Sequence, residues 1–327
     1  MRLSILVLCL ILVVSSCEPP SKAGHTTTTV KPEVRPQQED QNQTNDHKAG
    51  RINRVLTGFN AEYMTDVCID GTFANNRMSN VTFHKDCQTI LDAMDPEVLR
   101  WPGGITAQHY HFDGKGYGFD PQSVKGTEYD GNALKLQAAL DINFIELFAG
   151  MAKGRKVVFV ANLQDGNYEE NIRAVRYLEE EGADVIGIEL GNEFYFGNMD
   201  PNEYLKRCQP YIDGVKDIKI AVHMGPDMGP KNKNWNKVVS KADVDAFVIH
   251  EYNRKIKNFC KGEGKPYFDC ALKQTDEFID NYIHVLLGNY KRNYGNKEIW
   301  LSEWNVAPRT WPVYGTWLKS YHNFKMM

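Results

Sequence analysis

The sequence has little of what several common classes of protein require. Its 327 residues contain 38 Lys and Arg against 42 Asp and Glu, and basic residues form no stripe, so nucleic acid and anionic membrane surfaces are not expected partners. No C-x-x-C motif occurs among the seven cysteines, which leaves zinc-binding and thioredoxin-like functions without support. No glycine-rich phosphate loop follows the first predicted strand, which argues against a doubly wound nucleotide-binding sheet.

The N-terminus has an apolar run from Leu3 to Val14, interrupted only by Ser4. The run is too short to span a bilayer comfortably, and it is typical of a signal peptide over residues 1–17. Small residues just before Cys17 resemble a bacterial lipobox, which makes Cys17 a lipidation candidate; the alternative is an ordinary secretory signal with a chance cysteine. We therefore expect export, either to the cell envelope or outer surface as a lipoprotein or by secretion, and membrane contact only through such a lipid anchor.

Residues 18–50 are rich in Pro, Thr, Gln, Asn and charge and contain almost nothing apolar. Such a segment does not bury enough apolar surface to offset its ordering entropy, so we expect a disordered tether. Residues 51–327 are long enough for one large domain, such as an α/β barrel. A tether between a lipid and a domain suggests work at a cell surface.

Five cysteines remain once Cys9 and Cys17 are assigned to the signal and lipobox. Export permits disulfides. Cys68 with Cys87, and Cys260 with Cys270, are close in sequence and lie in or near predicted loops, so we favour those two pairs. Cys208 is then expected to be a buried thiol.

Short apolar strands alternate with helical segments after residue 51. Amphipathic spacing predicts helices within residues 83–95, 132–155, 167–183, 201–217 and 276–295, with Asn167 as N-cap of the third. Alternation of this kind favours βαβ units and a parallel sheet. The seven predicted strands begin at Arg54, Glu97, Lys156, Asp184, Ile218, Asp245 and Glu298.

Seven such strands in one domain predict an α/β fold, a (β/α)8 TIM barrel rather than an open sheet. Few residues follow Asn305, so the eighth βα unit is missing from the pattern. We expect either a barrel truncated before that unit or a gap that another chain fills, and we favour truncation, since an open gap exposes two strand edges.

Carboxylates end two of the predicted strands. In barrels of this type the chemistry lies at the carboxyl ends of the strands. Glu193 follows Asn192 at the end of the fourth strand, and Glu303 precedes Trp304 at the end of the seventh. Two carboxylic acids across one cleft are what cleavage of a glycosidic bond requires, because one protonates the leaving oxygen while the other attacks, or activates water at, the anomeric carbon.

The motifs "IELGNE" and "WLSEWN", with Arg100 on the second strand and His-x-Tyr (His250 and Tyr252) on the sixth, resemble the retaining (β/α)8 glycosidases with catalytic glutamates on strands four and seven. "LRWPGG" and "SEWNV" are most similar to arabinofuranosidases, and "IELGNE" is also similar to heparanase and its β-glucuronidase relatives. The resemblance implies that Glu193 is the general acid/base, Glu303 the nucleophile, and Asn192 the residue that binds the sugar 2-hydroxyl.

These roles have physical expectations attached. Arg100 should lower the pKa of Glu303, and Tyr252 could donate a hydrogen bond to the same carboxylate. His250 and Tyr252, two apart on a strand, share a face and reach the cleft, whereas Glu251 points away. The negative charge of Glu303 should raise the pKa of Glu193, so that Glu193 begins protonated.

Other residues admit structural interpretations. Glu189 is expected inside the barrel, where a buried carboxylate needs a partner. His109 and His111 would share a face if extended, but loop packing or sugar stacking is favoured over metal binding. The aromatic run Phe194 to Phe196 is expected either to line a sugar subsite or to pack under the next helix.

The sequence therefore predicts a retaining glycoside hydrolase acting on O-glycosidic bonds of a poly- or oligosaccharide by double displacement. Arg100, Asn192, His250, Tyr252 and Trp304 are the predicted substrate-binding residues. Neither a metal nor a cofactor is required, because two carboxylates suffice. The alternative is a non-catalytic surface glycan-binding lipoprotein that uses the same cleft.

Overall fold

The computed structural model describes residues 58–60, 69–74, 77–83, 85–114, 143–197, 199–262 and 264–306. The predicted signal peptide, the lipidation candidate Cys17, the tether and Cys68 lie outside these residues, as does the part of the chain where an eighth unit would begin.

A curled parallel sheet of seven strands forms the centre of the described fold. Each strand pairs in parallel with the next one in chain order, apart from a hairpin inserted after the first. All seven correspond to the strands predicted from sequence, so the (β/α)8-type architecture is confirmed over this region. The strands are β1 (Gly58–Asn60), β4 (Val98–Trp101), β5 (Lys156–Ala161), β6 (Asp184–Leu190), β7 (Lys219–His223), β8 (Ala246–Asn253) and β9 (Glu298–Val306).

An antiparallel hairpin separates β1 from the first helix and was not expected from the sequence. It pairs β2 (Ile69–Ala74) with β3 (Arg77–Phe83). The hairpin forms its own two-stranded sheet, so the order of the parallel strands is unaffected.

Helices connect the parallel strands, and four predicted segments are helical where the structure describes them. The segment at 132–155 is described from residue 143 onward and is helical there. Among the described residues three helices were missed: the one between β7 and β8, a short one after β8, and the one at Gly264–Glu277, of which the prediction reached only the last two residues. The helices are α1 (Lys85–Met94), α2 (Phe144–Ala152), α3 (Tyr168–Glu180), α4 (Pro201–Gly214), α5 (Gly229–Val239), α6 (Lys255–Phe259), α7 (Gly264–Glu277) and α8 (His284–Tyr294), the last two joined by a π-helical turn at Phe278–Ile283.

Polar side chains fix where these helices begin. Asn167 caps α3 by accepting a hydrogen bond from the backbone of Glu170, as predicted. Asn143 and Glu146 form a capping box at the start of α2. Among the described residues, none of the helices combines the length and apolar character needed to cross a bilayer.

The main core lies between the sheet and the surrounding helices. Trp101, at the end of β4, stacks on Phe148 of α2 with ring centroids 4.9 Å apart. On β6, Gly187 leaves room for the indole of Trp300 from β9, because a Cβ atom at Gly187 would overlap that ring. Because Gly187 has no side chain, the large side chain of Trp300 can pack against β6.

Candidate active site

The carboxyl ends of four parallel strands bring together the side chains that the sequence singled out. Arg100 lies on β4, Asn192 and Glu193 follow β6, and Glu303 lies on β9. His250 of β8 pairs in register with Glu303. Because all these strands run parallel within one sheet, their carboxyl ends share one rim of the curled sheet.

Arg100 is the buried cation that links this rim. Its Nε lies 2.8 Å from Oε2 of Glu189, its Nη1 lies 2.9 Å from Oε1 of Glu303, and its Nη2 lies 3.0 Å from Oδ1 of Asn192. Glu189 is fully buried, and Arg100 is the charged partner that the sequence required for it. The planar guanidinium thus fixes three side chains relative to one another.

Glu303 accepts hydrogen bonds on both of its carboxylate oxygens. Oε1 receives Arg100, and the hydroxyl of Tyr252 donates to Oε2 across 2.7 Å. Only 12% of its side chain is exposed. Both donors are those expected from the sequence, and together they fix the orientation of the carboxylate.

Glu193 sits where the chain leaves β6 in an unusual conformation. Gly191 and Glu193 both have positive φ, of 79° and 51°, and a short 3-10 turn, Phe194–Phe196, follows. Non-glycine residues in this region are uncommon and cluster at functional sites. The turn brings the Tyr195 hydroxyl to 3.0 Å from Oε1 of Glu193, and Nδ1 of His250 lies 2.9 Å from the same oxygen.

The two glutamates converge on one point. A carboxylate oxygen of Glu193, a ring nitrogen of His250 and a carboxylate oxygen of Glu303 all lie within 4.8 Å of one another. Nδ1 of His250 is also 3.6 Å from Oε2 of Glu303. Separate strands therefore hold the two carboxylates close together at one rim of the sheet.

Burial, hydrogen bonds and neighbouring charges shift the pKa values of the ionisable side chains at the rim. Burial raises the pKa of Glu189, but Arg100 and His223 outweigh it and lower that pKa to about 2. Burial also raises the pKa of Glu193, yet hydrogen bonds from His250 and Tyr195 and the charge of His250 hold it below its ordinary range. Burial lowers the pKa of His250, and the charges of Glu303 and Glu193 overcome this and raise it.

The expectation that Glu303 holds Glu193 protonated is therefore wrong for the site as it stands. The donors on Oε1 of Glu193 stabilise its ionised form more than the neighbouring carboxylate opposes it. The sequence motif placed Glu193 and Glu303 together but contained no sign of the donors from Tyr195 and His250.

Within the part of the chain that the structure describes, two groups of side chains have the donor types that metals prefer: Glu189 with His223 and His250, and Glu193 with His250 and Glu303. Arg100 donates to Glu189 and to Glu303, so each group already faces a buried cation that would repel a divalent ion. We interpret both groups as parts of one hydrogen-bonded network.

The remaining predicted substrate-binding residues occupy the same rim. Asn192 is buried, and its Nδ2 donates to none of the described residues, which leaves an amide donor beside the carboxylates. Trp304 is half-buried and pairs in register with Glu251. The substrate-binding roles of Arg100, Asn192, His250, Tyr252 and Trp304 stay predictions.

Sequence reasoning missed three contributors: Tyr195, His223 and Ser302. Ser302 Oγ lies 3.2 Å from Nε2 of His250, and the His223 ring meets the His250 ring edge-on at 4.9 Å. Ser302 is adjacent to Glu303, and His223 ends β7, so strand-end position was a usable signal for both. Nothing in the sequence separated Tyr195 from its aromatic neighbours.

The three aromatic residues that follow Glu193 differ in how far they are buried. Phe194 and Tyr195 are buried, whereas Phe196 is 59% exposed.

His111 lies 3.1 Å from Glu170 and 3.4 Å from Asp165, and these contacts connect its loop to the segment around α3. Loop packing, one of the expected alternatives, describes His111.

Among the cysteines, Cys260 and Cys270 form a disulfide, the pair favoured from sequence. Cys208 of α4 is a buried free thiol, as expected. The Cys68–Cys87 pair lies outside the described residues, since Cys68 is not among them.

The parallel strands and the alternating helices define a (β/α)8-type fold over the described residues. Among solved structures, the chain is similar to the crystal structure of the GH51 arabinofuranosidase from Xanthomonas axonopodis pv. citri, with a TM-score of 0.54 and 16% identity. The match covers 82% of this chain and 62% of that chain. At this identity the likeness shows the fold alone. No protein-family model and no curated protein matches the chain.

Proposed function

We propose that the protein is a retaining glycoside hydrolase that cleaves O-glycosidic bonds of a poly- or oligosaccharide, with Glu303 as nucleophile and Glu193 as acid/base. The observation that supports this most is the approach of the two carboxylates to within 4.8 Å. Retaining enzymes place these groups about 5–5.5 Å apart, whereas inverting enzymes need about 6.5–9.5 Å to admit a water molecule.

Glu303 attacks the anomeric carbon as the bond to the leaving oxygen breaks. Arg100 and Tyr252 donate to its two oxygens and orient it for that attack. The glycosyl ester removes the negative charge of Glu303. Glu193 then takes a proton from water, and the resulting hydroxide equivalent displaces Glu303 from the sugar.

Glu193 must hold a proton in the first step although its pKa is low in this site. A sugar in the cleft displaces water from Glu193, and desolvation disfavours the charged form and raises the pKa. Glu193 therefore takes up its proton as substrate binds. The free amide donor of Asn192 is placed to hold the sugar 2-hydroxyl in the same complex.

Two observations support the choice of substrate class. The solved structure that shares the fold is an arabinofuranosidase, and the strand-end motifs resemble both arabinofuranosidases and β-glucuronidases. Aryl α-L-arabinofuranosides and aryl β-D-glucuronides are therefore the first compounds to test, within a wider panel of aryl glycosides.

Hydrolysis of that panel by the full-length chain tests the proposal. Glu303→Ala should abolish turnover. Glu193→Ala should slow substrates with poor leaving groups most, because good leaving groups need little protonation. Glu180→Ala, which removes an exposed glutamate of α3, is the matched control and should hydrolyse at the wild-type rate. Wild-type rates in both active-site variants would refute the assignment, and tight glycan binding without products would favour a binding protein.

A further inference from the structure

The carboxylate of Glu193 is held on one oxygen only. Oε1 receives the hydroxyl of Tyr195 at 3.0 Å and lies 2.9 Å from Nδ1 of His250. Oε2 accepts no hydrogen bond from the part of the chain that the structure describes. The side chain keeps 16% of its surface exposed, which leaves Oε2 as the oxygen open to the cleft.

Tyr195 is built rigidly into its position. The residue is 2% exposed, and its ring lies 4.6 Å from that of Phe196. Gly225 approaches the ring so closely that a Cβ atom there would lie 3.1 Å from Cγ of Tyr195. Lys231 of α5 fixes the end of the same turn by donating to the carbonyl of Gly197 across 2.7 Å.

His250 is fixed equally well from its far side. Nε2 lies 3.2 Å from Oγ of Ser302, and the His223 ring packs against the imidazole at 4.9 Å. Nδ1 faces a carboxylate oxygen, which only accepts, so Nδ1 carries a hydrogen and donates it to Glu193 whether the ring is neutral or charged.

We propose that Tyr195 and His250 are positioning residues that hold Oε1 of Glu193, so that Oε2 is the oxygen that exchanges the proton with substrate and water. This inference rests on the proposed function. In the first step the O–H bond at Oε2 breaks as the glycosidic oxygen receives the proton. In the second, Oε2 takes a proton from the attacking water. Oε1 accepts hydrogen bonds whether Glu193 is protonated or not, so the same two donors serve both steps.

The charged groups near Glu193 determine how removal of one hydrogen-bond donor changes the pKa of this carboxyl group. The Tyr195 hydroxyl stabilises the ionised carboxylate, so deleting it raises the pKa of Glu193. The other titratable or charged groups around the carboxylate stay in place in such a variant; they are His250 of β8, Tyr252 of β8, Glu303 of β9, His223 of β7 and Arg100 of β4.

Tyr195→Phe tests the proposal, because it removes one oxygen and keeps the buried ring. Tyr211→Phe is the matched control, because its buried hydroxyl lies on α4 and accepts a hydrogen bond from Nδ2 of Asn171 rather than binding Glu193. With a poor-leaving-group aryl glycoside that the wild-type protein hydrolyses, kcat of Tyr195→Phe should fall about tenfold, the value of one hydrogen bond to a charged group. KM should change little, and the pH–rate limb of Glu193 should move to higher pH. The proposal would be overturned if kcat fell equally in both variants and the pH–rate limb of Glu193 did not move.

A second measurement does not require turnover. The carboxyl carbon of Glu193, labelled with ¹³C and assigned by its absence from Glu193→Gln, is followed by NMR as pH is lowered. The pKa of Glu193 should be higher in Tyr195→Phe than in the wild type and unchanged in Tyr211→Phe. An unchanged pKa in Tyr195→Phe overturns the inference even if the protein is a glycosidase. If the pKa of Glu193 is raised in Tyr195→Phe but the protein hydrolyses none of the glycosides, the contact between Tyr195 and Glu193 stands and the proposed function is refuted.

Discussion

Arg100 and Glu189 form a fully buried ion pair, with Nε of the arginine 2.8 Å from Oε2 of the glutamate and 5% and 0% of the two side chains exposed. Removing one partner of such a pair leaves an uncompensated buried charge. Because Arg100 also holds Glu303 and Asn192, the pair is the support on which the rest of the site is arranged.

Glu189→Gln should therefore lower the free energy of unfolding by about 3–5 kcal/mol, measured by urea denaturation. Asp113→Asn is the matched control, since it removes the partner of Arg173 from an ion pair with side chains 68% and 50% exposed. The control should cost under about 1 kcal/mol. Equal losses in the two variants would show that Glu189 and Arg100 are not a coupled buried pair.

Gly187→Ala should destabilise the fold by about 1–3 kcal/mol, because a methyl group there overlaps the indole of Trp300. Gly150→Ala is a control with the opposite sign. Gly150 lies in α2 with nothing within 4 Å of its added methyl, and alanine favours a helix by about 0.8–1 kcal/mol over glycine. Thermal unfolding of both variants tests the pair of predictions; a stable Gly187→Ala would mean that Trp300 does not pack against β6.

Glu251 should make stability depend on pH. Burial raises its pKa to about 7 from an ordinary 4.5. The folded protein therefore holds a proton that the unfolded chain releases, and the stability this contributes is full below pH 4.5 and is lost as pH rises through 7. Glu251→Gln stays neutral, so its free energy of unfolding relative to wild type should rise between pH 4 and pH 8, by at most a few kcal/mol. Urea denaturation at both values measures the difference; no change between them would contradict the shifted pKa.

Cys17→Ala tests the proposed lipid anchor, which concerns residues outside the described ones. In a bacterial host that processes lipoproteins, the wild-type protein should partition with membranes and have a mass that includes acyl chains. The variant should lose both properties. A wild-type mass with no added lipid would favour an ordinary secretory signal.

Much of the fold could be predicted because local signals agreed with one another. Asn167 precedes an amphipathic segment and does cap α3, and seven short apolar runs correspond to seven parallel strands. The placement of Glu193 and Glu303 followed from parallel strands alone, since side chains at their carboxyl ends meet at one rim. Glu189 was expected to need a partner, and Arg100 supplies it.

The rest depended on contacts between distant segments. Helix α5 was missed because Trp235 and Val239 are among its few buried apolar residues, and Gly229 and Pro230 open it. The pKa of Glu193 was expected to rise because only Glu303 was visible from the motif, whereas His250 and Tyr195 donate to it in the folded chain. Tyr195 reaches Glu193 because of the turn set by positive φ at residues 191 and 193, which periodicity does not reveal.

Covalent trapping is the most direct test of Glu303 as nucleophile opposite Glu193. A 2-deoxy-2-fluoro analogue of a glycoside that the wild-type protein hydrolyses slows both steps, and an activated leaving group lets the glycosyl ester accumulate. Peptide mapping by mass spectrometry should find one adduct, on Glu303, and none in Glu303→Ala. An adduct on another residue, or hydrolysis with inverted configuration at the anomeric carbon, would contradict the account.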